Sequence, residues 1–194
     1  MGKTKELIRC PWCESTELLR IYHDTEWGIP VHDDRKHFEF IVLDSFQAGL
    51  SWSTILNKRE NFRKAFDDFD PEKISRYTQK KIDKLLQDAG IIRNKLKVHA
   101  TISNAKSFLQ VKKEFGTFNK YIWQFTGNKT LQRKLRSSKE IPASTKESDA
   151  MSEDLKKRGF KFVGSTICYA YMQAAGMVND HLVTCHRFGK VNSL

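Results

Sequence analysis

The stretch from Phe38 to Trp52, FEFIVLDSFQAGLSW, constrains this chain more than any other. Phe38, Ile41, Val42 and Phe46 recur at three- and four-residue steps, the spacing of one helix face, so the segment is expected to set a helix into the core. One acid, Asp44, lies within it, and Gln47 follows. Ala48-Gly49-Leu50 then breaks the pattern, and Ser51 stands where it can cap a second helix beginning at Trp52. An acid, an amide and a tryptophan are thereby gathered at one corner between two helices. Lone acids are ordinarily solvated, so the corner alone leaves open whether Asp44 faces water or a pocket.

Helical periodicity continues downstream. Trp52, Ile55, Leu56, Ala65, Phe66 and Phe69 keep one face until Asp70-Pro71, a cap followed by a proline in the first turn, and a short helix over EKISRY is expected next. Thr78 is placed to cap a helix with Ile82, Leu85 and Leu86 inward, stopped at Ala89-Gly90-Ile91. A further helix begins near Asn94 with Val98, Ile102, Ala105 and Leu109 inward, which gives helix, glycine hairpin, helix. Phe118, Tyr121, Ile122 and Phe125 form a short face closed by Gly127, and residues 128–143, polar and without a period, read as a surface connection. Ser144-Thr-Lys-Glu147 has the form of a capping box opening a helix to Arg158, with Gly159 closing it. The segment from Thr166 to Ala175 is apolar nearly all round and is expected at the centre. Residues 1–37 look irregular, since Gly28 and Pro30 forbid a continued helix. With no repeat and no strand alternation, the expected class is all-α.

A chain of 194 residues with 39% apolar and 11% aromatic residues can bury one core. It is expected to form a single domain over 1–194: a loop-rich arm (1–33), a helical core (34–176) and a C-terminal segment (177–194) packed on the arm. Thirty-four Lys and Arg against 23 acids leave a formal +11 spread along the chain. The expected partner is a polyanion, and nucleic acid before membrane, because no long uncharged apolar run is present. The start, MGKTKELIRC, lacks an apolar secretion signal, and Glu6 breaks the myristoylation pattern, so a cytoplasmic monomer is expected. Four cysteines then argue for thiols or metal ligands over disulfides.

Histidine and cysteine recur together at the two ends: Cys10, Cys13 and His23 near the start, His181, Cys185 and His186 near the end. Neither group is strong alone, and the plainer reading of each is buried thiols and ordinary surface imidazoles. His181 and Cys185, four apart, would share one side of a helical turn. Two such half-sites suffice for a closed tetrahedral zinc that pins the arm to the C-terminal segment, a structural site with no open position for water.

Several pieces together resemble one family. Arg9-Cys10-Pro11-Trp12, Tyr22-His23-Asp24-Thr25-Glu26-Trp27-Gly28, Gln47-Ala48-Gly49-Leu50-Ser51-Trp52, Gln87-Asp88-Ala89-Gly90-Ile91-Ile92-Arg93, the run from Leu155 to Gly164 and Asn179-Asp180-His181 resemble the 3-methyladenine DNA glycosylase I family, known as Tag, in order and from about residue 9 to 185. The resemblance implies a helix-hairpin-helix glycosylase variant in which zinc joins the termini through Cys10, His23, His181 and Cys185, with Cys13 and His186 as bystanders. One departure stands out: where the family usually carries glutamate, this chain has Asp44, one methylene shorter.

The implied chemistry suits the residues. Adenine alkylated at N3 is cationic and already a good leaving group, so the protein needs above all a pocket that prefers a flipped cationic purine, which electron-rich rings provide. Tyr22, Trp27 and Trp52 are the candidates, with Trp12 weaker; Trp123 is expected to be packing alone. Asp44 would read the exocyclic amine and favour the cation. No lysine stands out as an amine nucleophile, so excision without strand cleavage is expected. For the DNA, the turn at Gly90 with Arg93 and Lys95 is a candidate phosphate grip. Gly49 and Leu50 are, by resemblance, candidates to enter the space left by the flipped base. A basic patch with Lys156, Lys157, Arg158 and Lys161 is the third contact. Two other classes compete: a zinc-containing DNA-binding module without turnover, and a redox protein using Cys10-Pro-Trp-Cys13, which the lack of alternating strands and helices disfavours.

Overall fold

The computed structural model describes residues 7–191. A 3-10 turn over Pro11–Ser15 leads into helix α1, Glu17–Thr25, so the arm is not irregular throughout. The Thr16 hydroxyl accepts the Leu19 N–H at 3.2 Å, and Leu19, Tyr22 and His23 form the buried side. Nine residues show too few periods to declare a helix; tertiary packing holds it.

Helix α2, Asp34–Gln47, is capped by Asp33, whose carboxylate accepts the Lys36 N–H at 2.8 Å. Every residue from His37 to Phe46 is buried, so α2 is a central strut and not an amphipathic surface helix. Gln47 to Leu50 then form a tight turn closed by the Leu50 N–H on the Gln47 carbonyl at 2.6 Å. Ala48 at φ −47°, ψ 115° and Gly49 at φ +78° are the dihedrals of a type II turn, which requires a left-handed residue at its third position. Ser51 caps α3, Trp52–Ala65, as its position predicts, accepting the Thr54 N–H at 3.1 Å.

Helix α3 stops at Ala65, earlier than its apolar pattern suggests. Asp67, Asp68 and Phe69 take φ of 49°, 54° and 54° and curl back, so that Phe66 and Phe69 stay buried off the helix axis. Asp70 caps the one-turn α4, Pro71–Ile74. Helix α5, Gln79–Gln87, buries Ile82 and Leu85 while Leu86 is only partly covered; Thr78 precedes it without a side-chain cap bond. Asn94 caps the long α6, Lys95–Phe115, by accepting the Lys97 N–H at 3.1 Å. Phe108, and not Leu109, takes the inward place on α6, its ring 5.1 Å from Phe38 and 4.2 Å from Phe118. Helix α7, Phe118–Trp123, packs beneath, and Trp123 donates its indole N–H to the Val31 carbonyl at 2.8 Å, a packing role as expected.

The expected surface connection at 128–143 does more than connect. Its β1, Leu131–Gln132, pairs in parallel with β2, Val178–Asn179, placing Leu131 opposite Val178, and Leu135 is buried. The all-α expectation therefore becomes a mostly helical fold with one short ladder; two-residue strands carry no alternation to read. Helix α8, Lys146–Lys157, has its capping box at Thr145 and Ser148, one residue later than the motif suggests. Helix α9, Ser165–Ala174, lies against α2 and α8 as its apolar girth requires, and α10, Phe188–Val191, closes the described chain.

Two contacts fix the arm. At Gly176, φ +67°, a Cβ would lie 2.4 Å from the Ile29 carbonyl carbon and the Pro30 nitrogen, so only glycine lets the arm cross the end of α9. The second is ionic: the Arg59 guanidinium on α3 forks onto Glu26 with two bonds of 2.6 Å and reaches Glu39 on α2 at 2.8 Å, with Lys36 and Arg63 completing the cluster. No helix among the described residues is long and apolar enough to cross a membrane.

Candidate functional site

The crossing of the arm over α2, α3 and α9 leaves a cavity of about 250 Å³. Trp12 comes from the 3-10 turn, Tyr22 from α1, Trp27 from the loop after it, Asp44 and Gln47 from α2, and Trp52 from the first turn of α3. All four candidate rings thus reach one wall system. Trp12 meets Trp27 edge-on with centroids 5.0 Å apart, and Tyr22 tilts against Trp52 at 5.3 Å. Ile141, Ala170, Ala174 and Gln173 close the far side.

Asp44 is 2% exposed, and its Oδ2 makes no hydrogen bond among the described residues. Burial pushes its carboxyl well above the usual carboxylate range, against the opposing pull of the Arg59 charge. The Trp52 indole N–H is likewise buried without a partner there, and burial raises the Tyr22 phenol so that it stays neutral. A buried acid oxygen and a buried indole donor, both unpartnered and both at one ring-lined cavity, are an arrangement that a charged, hydrogen-bonding guest completes.

Sequence reasoning missed Gln173 and Ile141. Gln173 is a lone amide on an apolar helix, a signal present in the sequence; its Nε2 donates to Asp180 Oδ2 at 2.8 Å, which also accepts the Tyr169 hydroxyl at 2.5 Å. Ile141 sits in the aperiodic connection, where nothing marks it.

The four residues that the resemblance names as metal ligands come together. The ligand atoms of Cys10, His23, His181 and Cys185, all buried, lie within 4.8 Å of one another. Cys185 Sγ is 3.5 Å from His23 Nε2 and 3.6 Å from His181 Nδ1, and Cys10 Sγ is 3.8 Å from His181 Nδ1. A tetrahedral ion with sulfur at about 2.3 Å and nitrogen at about 2.0–2.1 Å sets S···N edges of about 3.6 Å, so the donors fit such an ion. The far ring nitrogens are anchored, His23 Nδ1 on Asp24 Oδ1 at 2.7 Å and His181 Nε2 on the Trp27 carbonyl at 3.2 Å, which turns the free nitrogens inward. Backbone N–H groups of Leu182 and Arg187 donate to the two sulfurs. The two facing thiols part in acidity: the neighbouring Cys185 and burial push Cys10 far above the ordinary value, whereas Cys10, His181 and His23 hold Cys185 far below it.

His181 and Cys185 do not share a helical turn as their spacing suggests; they sit on an irregular turn in which the Cys185 N–H bonds the Leu182 carbonyl at 2.8 Å. Cys13 stays outside the cluster, its thiol on the Cys10 carbonyl at 3.1 Å and pushed by burial to about 11, the opposite of a reactive thiolate. His186 binds the Ile8 carbonyl at 3.0 Å instead.

The DNA-contact candidates divide. Gly49 and Leu50 form the outer tip of the corner, with Leu50 41% exposed. Arg93 and Lys95 are exposed at the hairpin before α6, but the Gly90 N–H is taken by Asp88 Oδ1 at 2.7 Å. Arg158 is engaged within the protein, bound to Glu114 at 2.7 Å and Asp154 at 2.7 Å and stacked over Phe115 and Tyr121. Lys161 is exposed.

A mostly helical chain that encloses a ring-walled pocket with one buried carboxylate, and joins its two ends at a Cys2His2 cluster, is the class of protein this geometry defines. The pattern of the Methyladenine glycosylase family matches residues 12–188, and the chain belongs to that family. It is 49% identical over 177 residues to DNA-3-methyladenine glycosylase 1 of Escherichia coli (strain K12), covering 91% of this chain and 95% of that protein. Its fold matches the crystal structure of a 3-methyladenine DNA glycosylase I (TAG) with a TM-score of 0.90 at 47% identity, over 92% of this chain and 98% of the other. A TAG variant crystallised in complex with 3-methyladenine matches with a TM-score of 0.89 at 31% identity, over 92% and 96%.

Proposed function

We propose that this chain is a monofunctional DNA glycosylase that flips 3-methyladenine out of alkylated duplex DNA and hydrolyses its glycosidic bond. The observation that carries the reading is the unpartnered, buried carboxylate of Asp44 facing a cavity walled by Trp12, Tyr22, Trp27 and Trp52. An alkylated adenine still bonded to sugar is cationic, so it enters as the missing charge partner. Rings attract it through their faces, and the charge it brings favours the ionised form of Asp44, which burial otherwise disfavours. A normal adenine brings no charge and leaves Asp44 buried against a neutral guest. Discrimination follows from that difference.

Hydrolysis needs little more. The C1′–N9 bond breaks with its electron pair passing to the purine, which leaves neutral; water adds at C1′ and releases its proton to the solvent, while the Asp44 carboxylate lowers the energy of the sugar cation between the two events. Among the described residues no lysine lines the cavity, so no covalent amine intermediate is expected and the strand stays intact.

The pair α5 and α6 with the turn at Gly90 is read as a helix-hairpin-helix phosphate grip, using Arg93, Lys95 and N–H groups at the α6 start, with Lys161 as a further contact. Gly49 and Leu50 enter the space left by the flipped base. Cys10, His23, His181 and Cys185 would hold a structural zinc, and what it would supply is a clamp between the arm and the C-terminal segment. The chain is taken to act as a cytoplasmic monomer with one domain; of the expected span 1–194, residues 1–6 and 192–194 lie outside the described residues.

The test is release of free 3-methyladenine from methylated duplex DNA. Release with intact strands supports the reading; none at micromolar protein, with DNA still bound, would leave a DNA-binding module instead.

A further inference from the structure

Lys97, in the first turn of α6, is a buried cation outside the cavity wall. It is 6% exposed, and among the described residues no carboxylate pairs with it. Its Nζ donates to two backbone carbonyls, Phe46 at 2.8 Å and Ala48 at 2.6 Å. These are carbonyls of the two residues that flank Gln47, at the C-terminal end of α2, where unsatisfied helix carbonyls favour a cation.

The second carbonyl is the informative one. Ala48 and Gly49 are the central residues of the type II turn that leads to Leu50. Types I and II differ by a flip of the central peptide, so the Ala48 carbonyl points in nearly opposite directions in the two. A donor on that carbonyl therefore selects type II. Gly49 at φ +78°, with open space where a Cβ would lie, permits the conformation without being forced into it by neighbours.

We propose that Lys97 is a positioning residue for base extrusion: by bonding the Ala48 carbonyl it locks the Gln47–Leu50 turn in the flipped-peptide form and couples the tip that enters the DNA to the helix that follows the hairpin. One side chain thus keeps the phosphate grip, the inserting tip and the flank of the pocket in register. The inference rests on the proposed glycosylase reading, because the turn matters only if it enters DNA.

The experiment compares wild type, Lys97→Met, Gly49→Ala and the double variant on three readouts: single-turnover excision of 3-methyladenine from duplex, excision from single-stranded DNA, and binding of the free base followed by indole fluorescence. Methionine keeps the aliphatic stem and removes the donor. Lys97→Met withdraws both carbonyl bonds; the one to Ala48 sets the turn, and its loss is expected to slow duplex excision about 10- to 100-fold. Excision from single strands is expected to fall less than about threefold, and free-base binding to stay within about twofold, since nothing must be levered from a stack. Gly49→Ala acts on the same turn, so the two losses are expected to be markedly less than multiplicative in the double variant. The proposal is overturned if Lys97→Met leaves duplex excision unchanged, if all three readouts fall together as a simple folding defect would make them, or if the two variants multiply. Absence of excision by wild type would instead sink the glycosylase reading, so the two failures are distinguishable.

Discussion

Replacing Asp44 with asparagine keeps shape and polarity but removes the charge that the pocket holds in reserve. A cationic purine seated in the cavity would lie within roughly 4 Å of the carboxylate, where two unit charges at an effective dielectric constant near 20 attract by about 4 kcal/mol. Part of that is consumed in ionising an acid that burial has pushed well above its usual range. The remainder is what the asparagine loses, so Asp44→Asn is expected to slow excision, with the roughly 1,000-fold that about 4 kcal/mol represents as the ceiling. The pH profile separates charge from shape. The wild-type carboxyl must lose its proton to pair with the base, so kcat/KM should rise with pH through the raised value and then level, whereas the asparagine variant should be flat. Stability moves the other way. Asp44 holds its proton more tightly folded than unfolded, so the fold loses stability as pH rises from the ordinary carboxyl range toward the raised value, and the melting-temperature gap in favour of the Asp44→Asn variant should widen in that window. Asp44→Glu, with room in the cavity for one methylene, should retain activity. A loss of about threefold or less in Asp44→Asn with an unchanged pH profile would refute the charge argument.

Trp52→Ala removes the ring that tilts against Tyr22 at 5.3 Å; base capture should weaken by about 1–3 kcal/mol, a typical stacking contribution, while affinity for undamaged duplex changes little, as read by parallel binding and excision assays. Metal analysis should find one zinc per chain, and His181→Ala should lower both zinc content and melting temperature; normal values of both would remove His181 from the ligand set. Arg59→Met strips the counter-charge from Glu26 and Glu39 and should destabilise the fold by about 3–5 kcal/mol by denaturant titration near neutral pH. The Arg59 bonds hold Glu39 at about 2, so this stabilisation is present above the ordinary glutamate range and lost as pH falls toward 2; the gap between variant and wild type should therefore close in acid.

Local patterns made much of this protein legible. The three- and four-residue spacing of Phe38, Ile41, Val42 and Phe46, the Ser51, Asp70 and Asn94 caps and the Gly159 stop are short-range signals, and the helices obey them. The corner joining Asp44, Gln47 and Trp52 was readable for the same reason: spacing within a short stretch sets which side chains share a turn. The family resemblance extended this to residues far apart, bringing Cys10 and His23 to His181 and Cys185, which no local rule can do.

What the chain could not declare is whatever depends on which surface meets which. Whether Asp44 faces water or a pocket was open until α2 proved buried all round, because helical periodicity marks one apolar face and is silent when every face is covered. The parallel contact of Leu131–Gln132 with Val178–Asn179, the place of Ile141 in the cavity wall, the capture of Arg158 by Glu114 and the reach of Lys97 to the Ala48 carbonyl join residues separated by dozens of positions. Sequence by itself determined most of the helices from α2 to α9 and the chemical inventory, since those follow from backbone dihedrals and neighbours along the chain, whereas the short α1 and the early end of α3 were left to packing. Only the tertiary structure decided which charges are free and which are occupied, because desolvation and hydrogen bonding across elements set that, and neither is a property of a local stretch.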